Sequence, residues 1–351
     1  MSDNTATASI KPSSGERPPI YLSSSPHTGS PVDSQKLMMK VFIALGPAAA
    51  FGVALYGIPA IFTILVSVSV AVLAEGFFRR LARQSVRSKD PSAALSGLIL
   101  GLILPPGMPL WMVALGSAFA IIVAKEFFGG LGANVFNPAL AGRVFLVMSF
   151  PAAATTWAVP RTFFGVPDAV TAATPMFIIN AGDSISDVGA MFASMGFSWG
   201  SDYWSTIGAL FLGTHGGSIG ESSVLLIFIG FIFLLVTRTI NWRAPVSMLF
   251  AVFTCTFLFG GDPLFAILTG GVFFGAVFMV TDYVTSPLTA NGKIIFGLGV
   301  GLITVLIRQL GNYQEGVAFA ILLMNAVVPF LDRLLLQKKY GYVKRPKGGG
   351  Q

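Results

Sequence analysis

Ten stretches of the chain are nearly continuous in apolar residues: 38–56, 58–78, 92–106, 109–126, 137–151, 219–238, 244–260, 263–281, 292–309 and 316–335. A helix needs about 20 apolar residues to cross a bilayer. The pattern therefore predicts an all-α polytopic membrane protein of about ten transmembrane helices. The third and fifth stretches are short for a full crossing, which predicts tilted or interrupted helices. Glycine-rich runs such as "GGVFFGAVFM" suit close helix packing in lipid. The rest divides into a polar segment at 1–37, helices one to five within 38–151, one long weakly hydrophobic interval at 152–218, helices six to ten within 219–335, and a basic tail at 336–351.

Composition strengthens this picture. The chain is 54% hydrophobic and 11% charged, with a mean hydropathy of +0.77, whereas a soluble domain carries about 25% charged residues. The first 40 residues are polar and Ser/Pro-rich, so no cleavable signal peptide is expected, and Asp3 and Glu16 argue against a mitochondrial presequence. The one cysteine, Cys255, lies in an apolar run. It cannot build a disulfide framework or a cysteine-based iron–sulfur or zinc site within the chain. His27 and His215 have no paired-ligand spacing, so neither a bis-His haem nor another metal site is expected.

The net charge of +7 is distributed as an anchoring pattern and calls for no nucleic acid partner. With the N-terminus in the cytoplasm, 20 of the 22 Lys and Arg residues fall on the cytoplasmic side or at cytoplasmic helix ends. Among them are Arg79, Arg80, Arg83, Arg87 and Lys89, then Arg238 and Arg243, then Lys338, Lys339, Lys344, Arg345 and Lys347. Only Arg161 and Arg308 fall outside. This bias orients both termini toward the cytoplasm of a bacterial or archaeal inner membrane. Residues 152–218 then form one long extracytoplasmic loop, with Asp168, Asp183, Asp187 and Asp202 against a single Arg161.

An internal echo links "PLWMVALGSAFAIIVAKEFFGG" with "PLFAILTGGVFFGAVFMVTDYV". Duplicated halves are common in transporters. Two five-helix halves would be inverted, yet both segments run in one direction here, so a shared packing composition is the simpler account.

The segments "SSPHTGSPVDSQKLMMKVFIAL", "SAALSGLILGLILPPGMPLWM", "AKEFFGGLGANVFNPALAGRVFL", "DAVTAATP", "GSIGESSVLLIFIG" and "FGAVFMVTDYVTSPLT" carry a resemblance. In this order, over residues 25–332, they resemble the family of D subunits of Rnf electron-transport complexes. The homologous B subunits of sodium-pumping NADH:quinone reductases share the same blocks. The short polar N-terminus looks more like the Rnf side of the family.

The resemblance implies a flavin-carrying membrane subunit of a complex that couples electron exchange between ferredoxin and NAD to Na⁺ or H⁺ movement. It further implies FMN joined through its phosphate to a threonine in a motif D-x-x-[S/T]-G-A-T. The matching positions are Asp168, Thr171, Ala173 and the acceptor Thr174, with Ala172 where the family usually has glycine. A threonine hydroxyl is a weak nucleophile without an activating base, and His215 lies 41 residues downstream. A separate flavin transferase is therefore implied. Pro175 favours an extended conformation at Thr174. The plain alternative is a local turn of the kind Ser and Thr hydroxyls support.

A second segment, "FFGGLGANVFNPAL" at 127–140, lacks both the phosphate-loop lysine and a preceding strand. Its glycines permit irregular backbone, which at membrane depth must be buried or line a cavity. The resemblance implies noncovalent riboflavin near Asn134 and Asn137. The alternative makes Asn137 the N-cap of a helix opening at Pro138, and the two are compatible. Among ionisable residues near the helices, Arg143 must snorkel or find a partner such as Glu126, because an unpaired mid-bilayer charge costs about 2.5–3.5 kcal/mol. Glu75, Asp282 and Asp332 sit at cytoplasmic ends where charge costs little, and Glu221 helps start the sixth helix. The partners implied are the other membrane and peripheral subunits of the complex, the flavin transferase and the lipid bilayer. The competing class is a passive channel or secondary transporter without a redox cofactor.

Overall fold

The computed structural model describes residues 34–84, 90–158, 174–180, 185–194, 202–213, 216–311 and 316–335. The described residues are helical and contain no strand. Two long helices open the chain, α1 (Ser34–Tyr56) and α2 (Ile58–Leu81). They are joined by Gly57 alone, whose φ of +66° needs a residue without a Cβ. α3 (Ser92–Ile103) stops at Leu104, before the paired prolines 105 and 106. α4 (Leu110–Ile122) runs into a 3-10 turn (Glu126–Phe128), and α5 spans Pro138–Ser149. Four short elements follow: α6 (Pro151–Ala154), α7 (Pro175–Asn180), α8 (Ile185–Ser194) and α9 (Tyr203–Leu212). α10 (Val224–Val236) and α11 (Arg243–Leu258) return to apolar sequence.

The next expected helix is broken. It consists of α12 (Pro263–Leu268), a Gly270–Gly271 turn, α13 (Val272–Phe274) and a π-helical turn (Gly275–Met279). α14 (Ala290–Leu310) and α15 (Val317–Leu334) close the bundle. The ten apolar stretches thus coincide with ten helical regions. Among the described residues five helices are long and apolar enough to cross a membrane, and five shorter apolar ones accompany them.

Small residues set the packing. Gly97 and Gly101 of α3 lie against α2, where a Cβ on Gly97 would fall 2.8 Å from the Ser67 carbonyl oxygen. Gly297 and Gly301 of α14 meet the Ala244 and Met248 carbonyls of α11 in the same way. Without a hydrophobic force between helices in lipid, such close approach supplies the contact energy. Large apolar side chains point outward instead, among them Phe62, Leu73, Phe77, Met148, Phe257 and Phe330. A surface this apolar suits hydrocarbon and would aggregate in water.

Packing partners reveal two groups of five. α2 packs on α3 and α4, and α4 on α5; α11 packs on α12 and α14, and α14 on α15. α1 meets α10 and α5 meets α15 across the groups. This pattern matches α4 with α14, and α3 with the broken helix. The echo seen in sequence pairs α4 with α12, so it marks shared composition and not structural equivalence.

Two expectations about charge are corrected. Glu75 is buried, not interfacial: Lys125 donates to its Oε1 at 2.8 Å and to Ser92 Oγ at 2.6 Å. Glu126 is held by Arg79, with Nε to Oε2 at 3.2 Å, and does not reach Arg143. Two acids and two bases balance in a dry site that ties the end of α4 to α2. Sequence spacing could not show this, because the four residues come from segments about fifty positions apart. Gly130 completes the site, since a Cβ there would lie 2.8 Å from Arg79 Nη2.

Lys125→Met should cost about 3–5 kcal/mol by leaving Glu75 buried beside a weaker partner. The double variant Lys125→Met/Glu75→Leu should recover most of that loss, as read by thermal unfolding in detergent.

Candidate functional site

Thr174 is described, while Asp168, Thr171, Ala173 and His215 lie outside the described residues. Thr174 sits half-buried at the start of α7, its carbonyl accepting from Ile178 N at 3.3 Å. It borders a cavity of about 30 Å³, walled by Trp157, Gly216–Gly217, Glu221, Gly270–Gly271 and Phe274.

Each wall has a local cause. Ser223 caps α10, its hydroxyl accepting from Leu226 N. The cap makes Glu221 unnecessary for starting that helix, which corrects its expected role, and the side chain turns into the cavity instead. The segment before it is threaded against α1. Tyr56 Oη accepts from Gly217 N at 3.1 Å and donates to its carbonyl at 3.2 Å, while Gly220 N donates to Leu102 O at 2.7 Å. Opposite lies the end of α12, whose last carbonyls have no helical donor. Arg308 of α14 fills that need, donating to the carbonyls of Ala266 (3.0 Å), Thr269 (3.1 Å) and Gly270 (2.9 Å). The cation also faces the negative end of the α12 dipole. The chain then reverses through Gly270 and Gly271 at φ of +60° and +67°.

A second cavity, of about 110 Å³, lies toward the other end of α10. Val224 and Ile227 line the first cavity and Leu234 lines the second. Seven residues of helix separate Ile227 from Leu234, or about 10 Å. The second cavity takes in both Asn134 and Asn137, with Ser92, Lys125, Phe278 and Asp282. Asn137 is also the N-cap of α5, its Oδ1 accepting from Ala139 N (3.1 Å) and Leu140 N (3.4 Å). Asn134 Nδ2 donates to Phe136 O at 3.1 Å. The cap and the cavity lining thus occur together in one geometry. Asp282 accepts from Thr285 Oγ1 at 2.9 Å, and burial pushes its carboxyl above the usual carboxylate range. Asn325, a lone amide in the apolar α15, braces this wall. Oriented to satisfy both ends, it accepts from Asn137 N and donates to Thr285 O, each at 3.2 Å.

Between the two cavities, a space of about 20 Å³ is bounded by Ile103, Leu140, Arg143, Glu221, Gly270 and Gly271. Arg143 lies mid-way along α5 and is buried, so it is not a cytoplasmic-end residue as its position in sequence suggested. Phe274 faces the first cavity and Phe278 the second, and their ring centroids are 5.0 Å apart on the π-helical turn. π-helical turns are rare and often mark functional sites.

Chemically, the first cavity has room for only one or two waters. A ring joined to Thr174 would lie across its mouth, against glycine backbone. The second cavity is mainly apolar with a few convergent polar groups, which is the character of a small-molecule site. The described residues contain no group of three or more His, Cys, Asp or Glu that could hold a metal ion. Sequence reasoning missed Trp157, Asn325 and the roles of Lys125 and Glu221. For Asn325 a signal existed, namely one amide inside "LLMNAVV".

The profile of the NQR2, RnfD, RnfE family matches residues 21–341. The chain is 43% identical over 327 residues to the D subunit of the proton-translocating ferredoxin:NAD(+) oxidoreductase complex of Clostridium ljungdahlii, covering 91% of this chain and 96% of that one. It is 38% identical to the D subunit of the Na(+)-translocating ferredoxin:NAD(+) oxidoreductase complex of Acetobacterium woodii, covering 93% and 97%. It is 39% identical to the D subunit of the ion-translocating oxidoreductase complex of Stutzerimonas stutzeri, covering 89% and 93%. With the profile and these relatives each spanning most of its length, the chain belongs to the NQR2, RnfD, RnfE family.

Proposed function

We propose that this chain is the membrane-embedded D subunit of an ion-translocating ferredoxin:NAD⁺ oxidoreductase complex, with FMN joined to Thr174 and riboflavin held at the second cavity. The relatives support the assignment to the complex, being named as its D subunits over more than nine-tenths of their own lengths. The chain therefore works with the other subunits of such a complex, and it is one part of the oxidoreductase. One relative is named for protons and another for sodium, so the coupling ion varies within the family.

The observation that carries the flavin reading is the setting of Thr174. The residue is half-buried at the lip of a glycine-walled cavity, and a second cavity with the two asparagines lies about 10 Å along the same helix. When bound, the flavins would supply the electron storage that no side chain here provides. The chain's own residues do the positioning. Thr174 Oγ1 offers the ester oxygen, Arg308 fixes the Gly270–Gly271 wall, and Asn134 and Asn137 present amides beside Phe278. A flavin transferase makes the bond, since the sequence motif places no histidine base beside Thr174.

The topology we propose has ten crossings: α1 to α5, α10, α11, the broken α12–α13 helix, α14 and α15. Both termini, 1–37 and 336–351, are then cytoplasmic, and residues 152–218 lie outside. The basic run Arg79, Arg80 and Arg83 at the end of α2 supports this by the positive-inside bias. Five crossings per group then make the two groups inverted, as in many transporters. A passive transporter would also use a broken helix and cavities at two depths. It would have no use for a threonine acceptor at the outer lip.

Two outcomes are expected. Chain co-expressed with a flavin transferase should keep flavin fluorescence on a denaturing gel, and Thr174→Val should abolish it; a dark wild-type band would leave the transporter reading ahead. Asn134→Leu should lower the riboflavin released on denaturing purified complex several-fold while preserving the Thr174-linked fluorescence. Asn137→Ala should do the same and also cost about 1 kcal/mol of stability through the lost cap.

A further inference from the structure

Glu221 is the only ionisable side chain among the described residues that lines both the Thr174 cavity and the interior Arg143 space. Room for its carboxylate is built into the backbone opposite. A Cβ on Gly271 would fall 2.3 Å from Glu221 Oε1 and 2.6 Å from Cδ, and the φ of +67° at that position independently demands glycine. The carboxylate therefore stands at the neck between an outer space and an inner one, each able to hold about one or two waters.

The surroundings select the species it can bind. A metal cation needs several oxygen ligands. The carbonyls of the adjoining turn, at Ala266, Thr269 and Gly270, are already engaged by Arg308. Other charged and titratable groups facing the site are Arg143 from α5 and Tyr56 from α1, whose hydroxyl is also tied to Gly217 and Ser222. A guanidinium in the inner space repels a second cation, whereas a proton needs only one carboxylate oxygen and a water to deliver it.

We propose that Glu221 is a redox-linked proton-binding residue: its carboxylate takes up a proton when an electron reaches the flavin on Thr174 and releases it when the electron leaves. This rests on the flavin reading given above. The electron originates in ferredoxin, the reductant of the complex, and ends on NAD⁺. The proton comes from water at the cavity mouth, and the only bond made or broken on the protein is the carboxyl O–H. An added negative charge close by in a poorly solvated site favours the neutral acid. Glu221 is thus a positioning residue for charge and does not itself carry electrons.

The test uses purified complex and redox-difference infrared spectroscopy. Reduction of wild type should produce a carboxylic-acid carbonyl band that shifts in D₂O, is absent in Glu221→Gln and returns, displaced, in Glu221→Asp. The midpoint potential of the Thr174-linked flavin should lose part of its pH dependence in Glu221→Gln and regain it in Glu221→Asp. A band that persists in Glu221→Gln, or no band in wild type carrying bound flavin, overturns the proposal. A band that responds to Na⁺ at fixed pH overturns it in favour of a metal-cation site. A wild-type chain dark on a denaturing gel removes the flavin reading itself, and the proposal with it.

Discussion

Inside a bilayer every backbone polar group must find a partner within the protein, and the bundle depends on how that demand is met where a helix breaks. Arg308 meets it for α12 by donating to three carbonyls from one guanidinium. Because those carbonyls are satisfied, the chain can stop, reverse through Gly270–Gly271 and resume as α13 within the interior. That reversal forms a wall of the Thr174 cavity and of the Arg143 space. Take the guanidinium away and three carbonyls at the turn lose their charged donor together.

The same economy governs the opposite end. Glu75, Arg79, Lys125 and Glu126 form a balanced, buried set that fastens α4 to α2 just before the chain becomes irregular at Gly129–Gly132. The irregular stretch ends when Asn137 caps α5, and its own amide N–H meets Asn325. Charged and polar pairs thus occur where helices are interrupted, and the interruptions are where cavities form. Between those cavities the π-helical turn stacks Phe274 near Phe278, so the path from one space to the other is packed and dry.

Much of the fold is legible in the chain because hydrocarbon imposes a simple length rule. All ten apolar stretches correspond to helical regions, with ends within a few residues. Caps are legible too, as at Asn137–Pro138, because the capping chemistry is local. Partnerships are not. Glu126 is an acid near Arg143 in sequence, yet Arg79, forty-seven residues from Glu126, holds that carboxylate. Glu221 reads as a helix-start residue because its actual setting comes from Gly271 and Arg143, on other elements. The echo between α4 and α12 misleads for the same reason, since repeat equivalence is written in packing partners and not in similar composition. For the candidate site, the family resemblance singles out Thr174, Asn134 and Asn137, and the last two do line one cavity. Asp168, Thr171 and Ala173 lie outside the described residues.

The central claim is that a side-chain oxygen at the lip of the first cavity bears a redox cofactor. Mass spectrometry of the Thr174-containing peptide from natively expressed complex addresses it most directly. The account predicts a peptide heavier by one FMN less water, with fragment ions placing the addition on Thr174. A bare peptide from active complex would contradict it.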